Sequence, residues 1–146
     1  MIRPMEWASG KLRLLDQTRL PEEEVYLELE DYREVASAIR EMRVRGAPAI
    51  GLAAAYGLAL GAQRLETQDR QEFLSQLAQV KEELAATRPT AVNLFWALGR
   101  LWEVAESEPD TSHLKARLLE EAQRIEVEEM AAERRLSEYG AELIPN

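Results

Sequence analysis

Along this chain the apolar positions first alternate with polar ones and then fall into a helical period. Met5-Glu6-Trp7-Ala8, Lys11-Leu12-Arg13-Leu14-Leu15 and Val25-Tyr26-Leu27-Glu28-Leu29 alternate roughly residue by residue, separated by Ser9-Gly10 and by a break around Pro21. A period of two predicts three short strands, and their close spacing predicts an antiparallel meander within residues 1–29. Three such strands bury one face only, so this sheet has to lie against the helices that follow.

From residue 31 the period lengthens. Asp31 to Arg43 predicts a first helix, capped by Asp31 and turning Val35, Ala38, Ile39 and Met42 to one face. Pro48 to about Gln63 predicts a core helix, apolar almost throughout. Its Gly51, Ala54, Gly57 and Gly61 recur at spacings of three and four, a stripe that lets another helix come close. Each interior glycine costs about 0.5–1 kcal/mol against alanine. Thr67 to Ala86 predicts a third helix, with Thr67 as cap and Phe73, Leu74, Leu77, Val80 and Leu84 inward. A fourth opens after Thr87 and continues through Trp96, Leu98, Leu101 and Trp102 to a break at Glu108-Pro109-Asp110-Thr111. The last runs from about Ser112 to Tyr139 on a stripe of Leu114, Leu118, Ala122, Ile125, Ala132, Leu136 and Tyr139. Gly140 is expected to stop it, with residues 141–146 leading away. The fold class is α+β: a small N-terminal three-stranded antiparallel meander (1–29) packed on a bundle of about five α-helices (31–140), all in one domain.

Two of these helix starts carry candidate chemistry. Arg45-Gly46-Ala47-Pro48-Ala49-Ile50-Gly51 places an arginine and a glycine just ahead of a proline in the first helical turn, where no backbone donor is wasted. First-turn amides have no partner inside the helix and the dipole makes that end mildly positive, so an anion is the natural ligand. Gly46 would let it approach the backbone. Thr87-Arg88-Pro89-Thr90-Ala91-Val92-Asn93-Leu94 repeats the theme, with Arg88 ahead of the start and Thr90 at the position of a cap. Plainer readings stand beside these: Arg45 pairing with a carboxylate at an ordinary buried helix, and Arg88 in a surface ion pair with Thr90 merely capping. Glu128 and Glu129 interrupt the last apolar stripe, either as solvated residues or as a carboxylate turned inward to hold Arg45 or Arg88. His113 sits among polar residues at a helix start and reads as a surface group.

Composition narrows the partners. The 146 residues are 46% apolar and 31% charged, the mix of a folded globular chain with a real core. A formal net charge of −9 argues against a nucleic-acid surface. With no cysteine, the chain has no disulfide framework, no thiolate metal site and no cysteine nucleophile. No secretory signal pattern opens the sequence, so a cytoplasmic location is expected. The apolar run from Ala47 to Leu60 is too short for a membrane span. There is no Gly-rich phosphate loop with its lysine, no paired-histidine metal spacing and no Ser-His-acid set, so neither a metal nor a cofactor is expected. The residues themselves lead as far as an anion-binding helical domain.

Val44-Arg45-Gly46-Ala47-Pro48-Ala49-Ile50-Gly51 and Thr87-Arg88-Pro89-Thr90-Ala91-Val92-Asn93-Leu94, in that order, closely resemble the methylthioribose-1-phosphate isomerase family, and the stretch from Arg134 to Pro145 extends the match. The superfamily includes ribose-1,5-bisphosphate isomerase and the regulatory subunits of the nucleotide-exchange factor of eukaryotic translation initiation. The resemblance implies conversion of 5-methylthioribose 1-phosphate to 5-methylthioribulose 1-phosphate in methionine salvage. It places substrate binding on Arg45, Gly46, Ala47 and Arg88. It also implies that the catalytic cysteine and aspartate belong to a further, Rossmann-like C-terminal domain, so that no catalytic residue lies in this chain, and that the whole enzyme is a homodimer. Three classes of function follow: the sugar-phosphate-binding half of an isomerase, a helical protein-interaction module like the translation-factor relatives, and a stand-alone phosphosugar-binding domain.

Overall fold

The computed structural model describes residues 4–143. Three strands, β1 (Met5–Ala8), β2 (Lys11–Leu15) and β3 (Tyr26–Leu29), form an antiparallel sheet in the order β1-β2-β3. The register pairs Met5 with Leu14, Trp7 with Leu12, and Leu12 in turn with Leu29. This alternation turns Met5, Leu12, Leu14 and Leu29 into the core. On the other face Arg13 lies opposite Glu6 and Glu28 and stacks 4.2 Å above the Tyr26 ring.

Five helices follow: α1 (Tyr32–Arg40), α2 (Ala47–Gln63), α3 (Arg70–Ala85), α4 (Val92–Ser107) and α5 (Thr111–Leu143). Helix α2 is the centre of the bundle. Every residue from Ile50 to Ala62 is buried, and α1, α3, α4 and α5 all pack on it. The glycine stripe serves three helices rather than one. A Cβ on Gly51 would lie 2.9 Å from the Asn93 carbonyl oxygen of α4; one on Gly57 would meet Leu84 of α3 and Val35 of α1 at 3.1 Å; one on Gly61 would meet Val80 of α3 at 2.7 Å. Backbones approach this closely only where the side chain is a hydrogen atom. Trp7 stacks on Tyr56 at 5.7 Å and so fastens the sheet to α2. Among the described residues, no helix is long and apolar enough to cross a membrane.

The ends of the helices differ from the expected ones in four places. Asp31 does cap α1: its carboxylate accepts from the Arg33 amide at 2.8 Å, and the Glu34 carboxylate accepts from the Asp31 amide at 3.1 Å. The helix then stops at Arg40, short of Arg43. Met42 adopts the left-handed conformation (φ 61°), the Arg43 amide donates to Ala38 and the Met42 amide to Ile39, a Schellman ending that leaves Met42 exposed instead of on the buried face. Asp69, not Thr67, caps α3, accepting from the Gln71 amide at 3.1 Å while the Thr67 hydroxyl accepts from the Asp69 amide. Asp69 also has Glu72 three residues on, the spacing of a capping box.

Thr90 does not cap α4. The Ala91 amide donates to the Arg88 carbonyl at 3.0 Å, which closes a turn with Thr90 inside it, and Ala91 takes the cap position with no side chain to offer. Gly140 does not end α5, which continues to Leu143. Glycine permits a left-handed stop without imposing one, and in mid-helix it costs only about 0.5–1 kcal/mol. The lead-out expected over 141–146 is therefore helical as far as Leu143, and residues 144–146 lie outside the described ones. Among the described residues the buried stripe of α5 ends at Ile125, and Leu136 is exposed; the expected Tyr139 side chain lies outside the described ones.

Candidate functional site

The two helix starts singled out in the sequence come together in space. Gly51 lies one turn into α2 and Asn93 lies in the first turn of α4, so the 2.9 Å separation between the Gly51 Cβ direction and the Asn93 carbonyl sets the two N-termini side by side. Each start presents the mildly positive end of its helix dipole. Neither start is capped by a side chain. The cap of α2 is Gly46 at φ 92°, a conformation that L side chains rarely adopt, so the glycine is required by the turn. The first intrahelical bond of α2 runs from the Ile50 amide to the Gly46 carbonyl at 2.9 Å, and those of α4 run from Leu94 and Phe95 to Ala91. Ahead of them, the amides of Ala47, Ala49, Val92 and Asn93 donate to nothing among the described residues.

Each arginine stands on a pinned loop just ahead of its helix start. Arg43 donates from its backbone amide to Ala38, its carbonyl accepts from the Gln17 amide at 2.9 Å, and its guanidinium pairs with the buried Asp16, so the segment that continues into Val44, Arg45 and Gly46 is held from two sides. Val44 is buried and anchors the turn, while Arg45, Gly46 and Ala47 are exposed. On the other loop, Thr87 is buried and its hydroxyl donates to the Leu84 carbonyl at 2.6 Å, which fixes the residue just ahead of the half-buried Arg88. Among the described residues, neither the Arg45 nor the Arg88 guanidinium makes a hydrogen bond or an ion pair. Neither the carboxylate pairing nor the surface ion pair is made among the described residues. An arrangement of exposed backbone donors and unpaired guanidiniums can take up an oxyanion such as a phosphate.

The positioning residues Asp16, Arg43 and Thr87 were missed in the sequence, where only the Asp16-x-Thr18 spacing hinted at a local carboxylate turn. Burial alone would favour the neutral Asp16 carboxyl. Hydrogen bonds from the Thr18 hydroxyl (2.6 Å) and amide (3.0 Å) and from Arg43 outweigh it and hold the group below the ordinary aspartate range.

Glu128 has a different partner from those considered. It accepts both terminal nitrogens of Arg100, one of them at 2.8 Å, while Arg100 Nε donates to Glu121 at 2.7 Å. This clamp ties α4 to α5, away from Arg45 and Arg88. His113 is exposed, 3.6 Å from Asp110.

Comparison with known proteins places this architecture. The model of the Initiation factor 2 subunit family matches residues 43–146. The chain belongs to that family. Within it, the chain is 54% identical to a methylthioribose-1-phosphate isomerase of Dehalococcoides mccartyi strain 195 over 98% of its own length and 43% of that protein. It is 52% identical to the isomerase of the same name from Pelotomaculum thermopropionicum, over 99% of this chain and 41% of the relative. The structure of 5-methylthioribose 1-phosphate isomerase from Pyrococcus horikoshii superposes with a TM-score of 0.94 at 41% identity, covering 99% of this chain and 41% of that one. Subunit delta of translation initiation factor eIF-2B from A. fulgidus superposes with a TM-score of 0.91 at 40% identity, covering all of this chain and 43% of that one. The chain thus spans less than half the length of these members of the Initiation factor 2 subunit family.

Proposed function

We propose that this chain is the N-terminal, phosphate-binding half of an aldose-ketose isomerase that acts on 5-methylthioribose 1-phosphate in the cytoplasm. The observation that carries the reading is the close approach of two uncapped helix starts, each preceded by an arginine that has no partner among the described residues. The isomerase names of its relatives supply the substrate class. A phosphate on the anomeric carbon keeps the sugar ring from opening freely, so the enzyme has to hold that phosphate while hydrogen moves between neighbouring carbons. Arg45, Arg88 and the amides beside Gly46 and Ala47 are suited to this holding. The chain has no cysteine, and the proton-transfer groups belong to the part of the enzyme beyond it. In the whole protein two copies form the working dimer.

This half alone is expected to bind the sugar phosphate only weakly. Charge-assisted hydrogen bonds contribute about 1.5–3 kcal/mol each and a helix terminus about 0.3–1 kcal/mol. After association costs, that leaves affinity of order millimolar.

The test joins this chain in frame to the remaining part of the Dehalococcoides mccartyi strain 195 relative and measures isomerisation. The joined protein is expected to be active. Arg88→Ala and Arg45→Ala are each expected to lower kcat/KM by about 10- to 100-fold, the loss of one charge-assisted contact. Undiminished activity in both variants would overturn the reading. The likeness to subunit delta of eIF-2B favours a second one, a non-catalytic interaction module; a folded joined protein without isomerase activity would select it.

A further inference from the structure

The first turns of α2 and α4 read Ala47-Pro48-Ala49-Ile50 and Val92-Asn93-Leu94-Phe95, and Asn93 is the one polar side chain in either. It continues the buried stripe of α4 by one turn, since Ala97 and Leu101, four and eight residues on, are both fully buried. Packing draws it against α2: a Cβ on Gly51 would stand 3.4 Å from the Asn93 Cβ as well as 2.9 Å from its carbonyl oxygen. The side chain is half-buried there, and among the described residues its carboxamide has no hydrogen-bond partner. Neither capping nor packing accounts for it. Ala91 already holds the cap position of α4. An alanine at 93 would fit the same contact with better helix propensity and no polar group to desolvate.

The chemistry around Asn93 says what its carboxamide is for. Guanidiniums and backbone amides donate hydrogen bonds and accept none, so Arg45, Arg88 and the free amides of the two starts suit a phosphate, which only accepts. A hydroxyl on the sugar that carries the phosphate is different, because its own proton needs an acceptor. In the two first turns the Asn93 carboxamide oxygen is the side-chain acceptor on offer. We propose that Asn93 is the sugar-reading residue of this site, its carboxamide hydrogen-bonded to the oxygen on the carbon next to the one that carries the phosphate. This rests on the isomerase reading for the identity of the ligand. A carboxamide suits both ends of an aldose-ketose interconversion at that carbon: its oxygen accepts from the hydroxyl of the aldose, and its NH2 group donates to the carbonyl oxygen that takes the place of that hydroxyl in the ketose. Aspartate could accept but not donate, and its charge would repel the phosphate.

Amide-resolved NMR of this chain, titrated separately with inorganic phosphate, ribose 1-phosphate and 2-deoxyribose 1-phosphate, tests the assignment. The native chain is expected to bind ribose 1-phosphate about 3- to 10-fold more tightly than its 2-deoxy counterpart, the worth of one neutral hydrogen bond. Asn93→Ala is expected to erase that preference and to leave the affinity for inorganic phosphate unchanged. Asn93→Leu, which keeps the approximate shape of the side chain without its hydrogen bonds, should do the same. A preference that survives in both variants would overturn the proposal. So would an equal weakening of all three ligands, the sign of a side chain that only shapes the turn. Thermal melts add a readout that a merely structural role would move: Asn93→Ala should melt no lower than the native chain, because it loses no partner. Isomerisation by the protein joined to the remainder of the Dehalococcoides mccartyi relative separates the two readings. Activity with a preference that ignores Asn93 overturns this proposal alone; a preference that depends on Asn93 without activity supports it and removes only the catalytic reading.

Discussion

Asp16 and Arg43 join two loops across the edge of the fold, the buried carboxylate of one receiving the guanidinium of the other. Arg43 stands two residues ahead of Arg45, so this pair decides where the chain enters the first turn of α2. Asp16→Asn is expected to lower stability by about 1.5–3 kcal/mol at neutral pH, the range for hydrogen bonds to a charged group. The lower end is favoured because Arg43 is a third exposed and regains water. Since the folded carboxyl titrates below its unfolded counterpart, its contribution is present above the ordinary aspartate range and fades as pH falls through the lowered folded value. Urea melts of both proteins across that window measure the difference, which should shrink in acid.

Close approach of α2 and α4 makes a second prediction. A methyl group on Gly51 has the Asn93 backbone oxygen 2.9 Å away, and backbone cannot step aside as a flexible side chain can. Gly51→Ala should cost about 1–3 kcal/mol, the usual penalty of overpacking, despite alanine's better helix propensity. Thermal melts check this; unchanged stability would show that the two helix starts are not rigidly apposed.

The unused cap position at Ala91 sets stability against binding. Ala91 has the extended backbone of a cap, with φ −82° and ψ 99°, and no acceptor to place there. Ala91→Ser should raise stability by about 0.5–2 kcal/mol by satisfying a first-turn amide. The same hydroxyl competes with an anion for that amide, so sugar-phosphate binding should weaken. A stabilised variant with unaltered binding would separate the α4 start from the ligand.

At the α4–α5 clamp the partners are unequal. Arg100 and Glu121 are mostly buried, whereas Glu128 is 56% exposed. Arg100→Ala strands Glu121 with only Arg124 at 3.4 Å and should cost about 2 kcal/mol or more. Glu128→Ala should cost less than about 1 kcal/mol. Hydrogen bonding to Arg100 holds the Glu128 carboxyl below the ordinary glutamate range, so its small contribution exists above that range and is lost as pH falls through the lowered value. Denaturant titrations of both variants test the order.

The strands, the identity of α2 as the core helix and the Asp31 capping box were legible because each rests on local pattern: alternation, an unbroken apolar run, and a cap with glutamate three residues on. The helix ends at Met42, Thr90 and Gly140 were not, since each depends on a contact or a turn that composition does not encode. Met42 takes a left-handed position that glycine usually fills, in a segment whose next residue reaches Asp16. Thr90 loses its role to a turn closed by Arg88 and Ala91. At the candidate site, Arg45, Gly46 and Arg88 announced themselves by standing ahead of apolar helices. The apposition of the two starts did not, because Gly51 and Asn93 are 42 residues apart and only packing brings them together.

Whether these two starts hold one phosphate is tested most directly by amide-resolved NMR of the isolated chain titrated with 5-methylthioribose 1-phosphate. Millimolar, saturable shifts are expected at Gly46, Ala47 and Ala49 together with Val92 and Asn93, lost in both Arg45→Ala and Arg88→Ala. Shifts at only one of the two starts, or shifts that persist unchanged in both variants, would contradict it.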